Sequence, residues 1–286
     1  MLNNLQRLHK VNITATDISS QFWCERQMEL NCLHGSKKTY AMKVGTQMHA
    51  QMQVQVYKFL EATPRNYADS MFKSAYENLS GLDTLMGSGL CREFKIFGSV
   101  NGYRITGKID QLGMKDGMVT ISEQKTIGKN KSLAEASTRP HRIQIMLYRK
   151  LLDDIRKGRY TLENFTNSYG IQRMQMTDDF KKELEAAGVS AEMMSIESAY
   201  SRMFSRIAQL PEISDTLEIH YIDRKANEEV EMLPVEYSDS SIDKHLMHAM
   251  RFWNGDRESQ PVIEEEKWKC NSCPFFGEQC KVWYNR

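Results

Sequence analysis

The spacing of apolar positions divides the chain into helical and strand-like stretches. Residues 14–33 open on cap-type residues and place Ile18, Phe22, Trp23, Met28 and Leu30 at roughly helical intervals, which predicts mostly helix. Gly45 precedes a second helix-forming run that stops before Pro64. The pattern then changes to that of strands. Residues 92–100, 103–115 and 118–125 read as three strands, joined by Asn101-Gly102 and Asp116-Gly117. Both dipeptides accept the positive φ values of two-residue hairpin turns, so an antiparallel meander is expected. Pro140 opens a helix that runs to Gly158, and residues 177–210 read as further helices. Residues 217–223 and 230–237 read as a strand pair, followed by a helix over 241–253. No internal repeat is visible. The order predicts one mixed α/β domain with 160–212 as a helical insertion.

Composition narrows the function classes. At 286 residues and 41% hydrophobic content, the chain can bury a core without disulfide staples. Its mean hydropathy is −0.56, and no apolar run approaches the ~18–20 residues of a bilayer span. Residues 1–20 lack the apolar core of a secretory signal, so an intracellular protein away from membranes is expected. The formal charge of +1 argues against attachment to nucleic acid by bulk charge, but a sum hides separation along the chain. Residues 125–159 hold ten basic against three acidic side chains, whereas 212–266 hold fifteen acidic against five basic. That separation fits an anionic partner meeting one face.

The meander carries the chemistry. Asp110 lies on one strand and Glu123-Gln124-Lys125 on the next. Residues two apart on a strand share a face, so Glu123 and Lys125 point the same way, with Asp110 in reach. Paired carboxylates make a hard oxygen site for Mg²⁺ or Mn²⁺. A neighbouring ammonium can orient water or stabilise charge developing on a phosphate. Gly45-x3-His49 offers an imidazole as a third ligand, and Gln144-x3-Tyr148 puts an amide and a phenol on one helix face. Glu93 offers a further carboxylate to the metal site from the first strand, with a solvent-facing strand carboxylate as the safer reading. The cysteines form a second group: Cys270-x2-Cys273-x6-Cys280, with Cys24 some 246 residues earlier. Three clustered thiolates need a fourth, from Cys24 or Cys32, and a metal is favoured over disulfides. Zinc and an iron–sulfur cluster both accept four thiolates, so spacing leaves the two open. Cys91, and Cys32 if it is not the fourth ligand, read as buried small hydrophobes.

In order, Gly45…His49, Gly107-Lys108-Ile109-Asp110, Glu123-Gln124-Lys125 and Gln144…Tyr148 resemble the RecB-type branch of the PD-(D/E)xK nucleases over residues 40–150. Trp23-Cys24-Glu25, Gln27, and the tail Phe252-Trp253-x-Gly255-x-Arg257 with Glu265-Glu266-x-Trp268-Lys269-Cys270 resemble the iron–sulfur exonuclease V family. One departure is the six residues between Cys273 and Cys280, where the family pattern leads us to expect one fewer.

The resemblance implies an α/β restriction-endonuclease-like core, a central mixed sheet flanked by helices, within a single nuclease domain over 1–286. Its parts would be an N-terminal helix (14–35) bringing the first cluster cysteine, the catalytic core (40–150), the helical insertion (160–212), and C-terminal strands, helix and cysteines (215–286). By the same resemblance Asp110, Glu123 and Lys125 are catalytic. His49, Asp110, Glu123 and the Gln124 carbonyl hold Mg²⁺ or Mn²⁺, and Gln144, Tyr148, Lys129, Lys131 and Arg142 support the site or the DNA. Cys24, Cys270, Cys273 and Cys280 hold a [4Fe–4S] cluster tying the two ends together. The implied activity is metal-dependent exonucleolytic hydrolysis of single-stranded DNA in repair, replication or genome maintenance. A monomer is expected, with a single-strand-binding protein as a further partner. The alternatives are a CRISPR adaptation-type iron–sulfur nuclease and a non-catalytic iron–sulfur or zinc DNA-binding protein.

Overall fold

A computed structural model describes residues 3–36, 60–128 and 133–283. The described chain begins with a short helix, α1 (Asn4–Arg7), and a two-residue strand, β1 (Ile13–Thr14). Helix α2 (Ala15–His34) starts on a reciprocal cap between Thr14 and Asp17 and is broken at Cys24, whose φ of −164° and ψ of 110° are extended. The helix predicted after Gly45, with His49 on it, lies outside the described residues; its predicted last residues, 60–63, are not helical. Helix α3 (Tyr67–Ser88) occupies a stretch to which the sequence pattern assigned no element. Asn66 caps its start through Asp69, and Gly89 ends it in the left-handed conformation.

Strands β2 (Leu90–Val100), β3 (Tyr103–Lys115) and β4 (Met118–Ile127) form the expected meander. Asn101 and Gly102 (φ 49° and 78°) and Asp116 and Gly117 (φ 53° and 76°) take the two positive φ values that each hairpin turn needs. Helix α4 (Glu135–Arg156) begins earlier than predicted and carries Pro140 inside. The proline removes one bond from the ladder close to the helix start, where little cooperative structure precedes it. Helices α5 (Leu162–Tyr169), α6 (Asp178–Ala186) and α7 (Ile196–Ala208) follow. They are part of the common core: Phe165, Tyr169 and Tyr200 all meet Phe97 of β2 edge-on. Strands β5 (Thr216–Asp223) and β6 (Glu229–Glu236) and helix α8 (Asp239–Asn254) complete the regular structure. A 3₁₀ segment, Glu264–Ser272, leads into the last cysteines.

The described strands make one mixed six-stranded sheet. Strand β2 pairs antiparallel with β3 along nearly its whole length. The other edge of β3 is shared: β1 pairs there at Ile105 and Thr106, and β4 pairs only from Gln111 to Lys115. Beyond Ser122, β4 continues beside β5 in parallel, as far as Ile127↔Asp223. The strands therefore fork at Asp110. Inside the fork a Cβ at Gly107 would stand 2.5 Å from Cε1 of Tyr148, which descends from α4.

Helix α4 also shows where part of the basic stretch goes. Asp153, buried in its last turns, receives Arg149 (3.4 Å), Arg156 (3.1 Å), Lys157 (2.8 Å) and Arg159 (2.9 Å). Burial works to neutralise this carboxyl, but hydrogen bonds from Lys157, Arg159 and Arg156 and the charge of Arg149 outweigh it and hold the pKa at about 2. Lys150 pairs with Asp243 and Arg139 with Glu266. Among the described basic residues of 125–159, Arg142 alone takes no carboxylate partner.

Two outcomes follow from these contacts. Gly107→Ala should destabilise the fold by about 1–3 kcal/mol through overpacking against Tyr148, read as a fall in melting temperature. Asp153→Asn should destabilise by a similar ~1–3 kcal/mol at neutral pH. The native carboxyl has a depressed pKa, so its contribution is present above the ordinary value near 3.8 and is lost as pH falls towards about 2. Melting curves of the two proteins should accordingly converge below about pH 4.

Candidate active site and cysteine centre

The fork builds the site. The last ladder pair between β3 and β4 is Gln111↔Ser122, so Asp110 and Glu123 are the next residues in register as the strands part. The Gln124 N–H, released from β3, donates to Asp110 Oδ2 at 2.8 Å. Glu123 is 2% exposed and Asp110 9%, which places both carboxylates in a largely dry cleft. Lys125 Nζ donates to Glu123 Oε1 (2.6 Å) and to Gln144 Oε1 (3.0 Å), and Gln144 Nε2 donates to the Tyr148 hydroxyl (2.8 Å). A continuous chain thus runs from the carboxylates through the ammonium to α4. Asp110, Glu123, Lys125, Gln144 and Tyr148 come together as the spacing predicted; His49, Lys129 and Lys131 lie outside the described residues.

Electrostatics fix the protonation states. Burial pulls the Lys125 pKa down, but the charges of Glu123 and Asp110 and the Glu123 hydrogen bond reverse this and raise it. The group is therefore a charged ammonium, suited to orienting water and screening anionic charge. Burial, assisted by the Glu123 charge, pushes the Tyr148 phenol well above its ordinary value, so it stays neutral.

Glu93 corrects the sequence reading. It is buried, not solvent-facing, and pairs with Lys108. In the β2–β3 register it falls opposite Asp110, between Arg92↔Gln111 and Phe94↔Ile109, with a φ of 56°. Positive φ at a non-glycine strand residue is a strain that clusters at functional sites. Burial lowers the pKa of the adjacent Arg92, against the opposing charges of Asp110 and Glu93. The alternating strand pattern gave no sign of the reversal at Glu93.

The second centre lies where the chain ends meet. Cys24, Cys270, Cys273 and Cys280 line one pocket with Gln27, Leu30, Val262, Lys269 and Phe276, and none of the four is in a disulfide. Burial raises the Cys24 thiol pKa, against the opposing influence of the Gln27 and Val262 backbone. Four thiols lining one pocket are a donor set that fits a thiolate-bound metal or cluster. Among the described residues, no three His, Cys, Asp or Glu side chains are gathered closely enough to hold an ion as they stand. Cys91 is buried, its thiol pushed up to about 12 by desolvation, and Cys32 packs against Met28. Cys32 is not among the residues lining the pocket.

The motif residues around Cys24 are ties between the two ends. Glu25 takes both guanidinium nitrogens of Arg257 and the Gln260 N–H. Trp253 Nε1 donates to Gln21 Oε1 at 2.9 Å. Gly255, with a φ of 86°, ends α8 in the left-handed turn that sends the tail towards α2.

A family model described as "Exonuclease V - a 5' deoxyribonuclease" matches residues 1–118, 113–203 and 185–284. The chain belongs to the exonuclease V family. It is 25% identical to the exonuclease V of Danio rerio over 298 aligned residues, covering 99% of this chain and 73% of the relative. The crystal structure of SSO0001 resembles it with a TM-score of 0.38 and 14% identity, over 92% of this chain and 82% of that one. Membership makes the chain a deoxyribonuclease. Among the described residues, no helix is long and apolar enough to cross a membrane.

If Gln144 positions Lys125, Gln144→Leu should cut the initial rate on DNA by about 10–100-fold, as loss of a supporting shell does. A rate within about twofold of the unaltered enzyme, at matched folding by circular dichroism, would show the ammonium is held without it.

Proposed function

We propose that this exonuclease V homologue is a metal-dependent exonuclease that hydrolyses phosphodiester bonds of single-stranded DNA from an end, in genome maintenance. The observation that carries the reading is the fork itself. It leaves two buried carboxylates in register, with a charged lysine tethered beside them. Asp110 and Glu123, with the Gln124 carbonyl and His49, would hold Mg²⁺ or Mn²⁺. When bound, the ion supplies Lewis-acid polarisation of the scissile phosphate and a lowered pKa for water. Lys125 orients the attacking water and screens the charge that develops on the phosphate. Gln144 keeps that ammonium in line, and Tyr148 fixes Gln144 through its hydroxyl. Arg142, with Lys129 and Lys131, contacts the phosphate backbone, so binding weakens as salt rises.

The four cysteines are read as ligands of a [4Fe–4S] cluster. Its part is structural: one centre closes a loop of nearly the whole chain, holding α2 against the tail. A non-catalytic DNA-binding role is disfavoured because Asp110, Glu123 and Lys125 are all present and brought together.

The test is end-labelled single-stranded DNA with Mg²⁺, comparing the unaltered protein with Asp110→Ala and with the unaltered protein in excess chelator. Both controls should lose at least about 10²-fold in rate, the scale expected for a group acting on the transition state. Equal rates for the unaltered protein and Asp110→Ala would remove Asp110 from the chemistry.

A further inference from the structure

Lys269 sits beside the cysteine centre and is used by none of the chemistry above. Its side chain is 1% exposed, although a buried ammonium is unfavourable unless fully partnered. Its partners are specific. Nζ donates to Glu266 Oε2 at 2.5 Å and to the Trp23 carbonyl at 3.1 Å, and lies 4.4 Å from the centroid of the Trp23 ring. Glu266 is held in turn by Arg139 of α4 at 3.0 Å.

The Trp23 carbonyl is the informative partner. In an unbroken helix it would accept the Gln27 N–H four residues on. The extended backbone at Cys24 breaks that ladder. The break turns Cys24 into the pocket at the cost of a helical bond, and Lys269 supplies the donor that the Trp23 carbonyl lost. Lys269 is also the one charged side chain among the described residues lining the cysteine pocket. Four thiolates around a divalent ion or a doubly charged cluster core leave net negative charge, which a buried cation offsets.

We propose that Lys269 is a positioning residue for the cysteine centre: it locks the helix break that presents Cys24, and Glu266 with Arg139 anchors it to α4. The proposal rests on the reading that the four cysteines hold a metal. Lys269 touches neither substrate nor the reacting atoms, and it acts through Cys24.

The test uses full-length protein purified anaerobically, with iron and zinc both quantified per chain and the rate of metal loss to a chelator followed. Lys269→Met should release metal about 10–100-fold faster than the unaltered protein, the range for loss of a ligand-supporting contact. Lys269→Arg, which keeps the charge and the donors, should restore most of the retention, and Lys267→Met, at an exposed neighbour, should leave it unchanged. In Lys269→Met, iodoacetamide should label Cys24 ahead of the three tail cysteines, and its deficit in melting temperature against the unaltered protein should be larger with metal bound than after metal is stripped from both. A defect confined to packing would instead leave that deficit the same in both states, which would overturn the proposal. Retention equal to the unaltered protein in Lys269→Met would overturn it as well. Should that variant not fold, Glu266→Gln is expected to release metal at an intermediate rate, and an unchanged rate there would have the same force. Metal absent from the unaltered protein would sink the metal reading itself, a result distinct from metal present and indifferent to Lys269.

Discussion

The site depends on one strand losing the partner on one of its edges. Strand β4 leaves β3 after Ser122 and continues on β5. Backbone groups that leave a ladder inside a protein must be satisfied elsewhere. Here the Gln124 N–H finds the carboxylate of Asp110, so the side chain that would serve the chemistry also seals the fork. Glu123 emerges beside it, and Lys125, two residues on, is directed to the same cleft. A strand that stayed paired with β3 would leave no room there for a substrate oxygen. Gly107 and Tyr148 set the width of the opening, because the ring occupies the space a side chain at 107 would need.

The second constraint is the clasp between α2 and the tail. Glu25, Gln21 and Glu29 are buried, and each finds its partners across more than two hundred residues of sequence: Arg257, Trp253 and Ser259 respectively. Polar groups buried in this way specify a geometry, since each is costly unless its partner is in place. The clasp brings Cys24 to the pocket of Cys270, Cys273 and Cys280, and the Arg139–Glu266–Lys269 chain joins it to α4. That helix is the one whose middle carries Gln144. The two centres therefore share a helix.

Charge proved less available for binding than its count suggested. The surplus of positive charge over 125–159 is largely consumed inside the fold, four of its members converging on Asp153 at the C-terminal end of α4. A run of like charge along a sequence carries no information about which carboxylates the fold will bring to it. Among the described residues of the stretch, only Arg142, two residues before Gln144, stays without an acidic partner.

Local rules sufficed for much of the fold. Asn-Gly and Asp-Gly dictate hairpins wherever they occur between strand-like runs, because few other residues tolerate two positive φ values in succession. Once those turns are placed, strand register follows, and with it the meeting of Asp110, Glu123 and Lys125. The i, i+4 spacing of Gln144 and Tyr148 was legible for the same reason: helical periodicity is local. The tertiary structure decided what depends on long-range competition. It chose where β4 parts from β3 while its other edge runs on along β5, and it broke α2 at Cys24, where the pull of a distant pocket outweighs helix propensity. It buried Glu93 at a positive φ opposite Asp110, and it gathered basic side chains around Asp153. None of these is written in the neighbouring residues, since each is the outcome of a balance between a local preference and a partner far away in the chain.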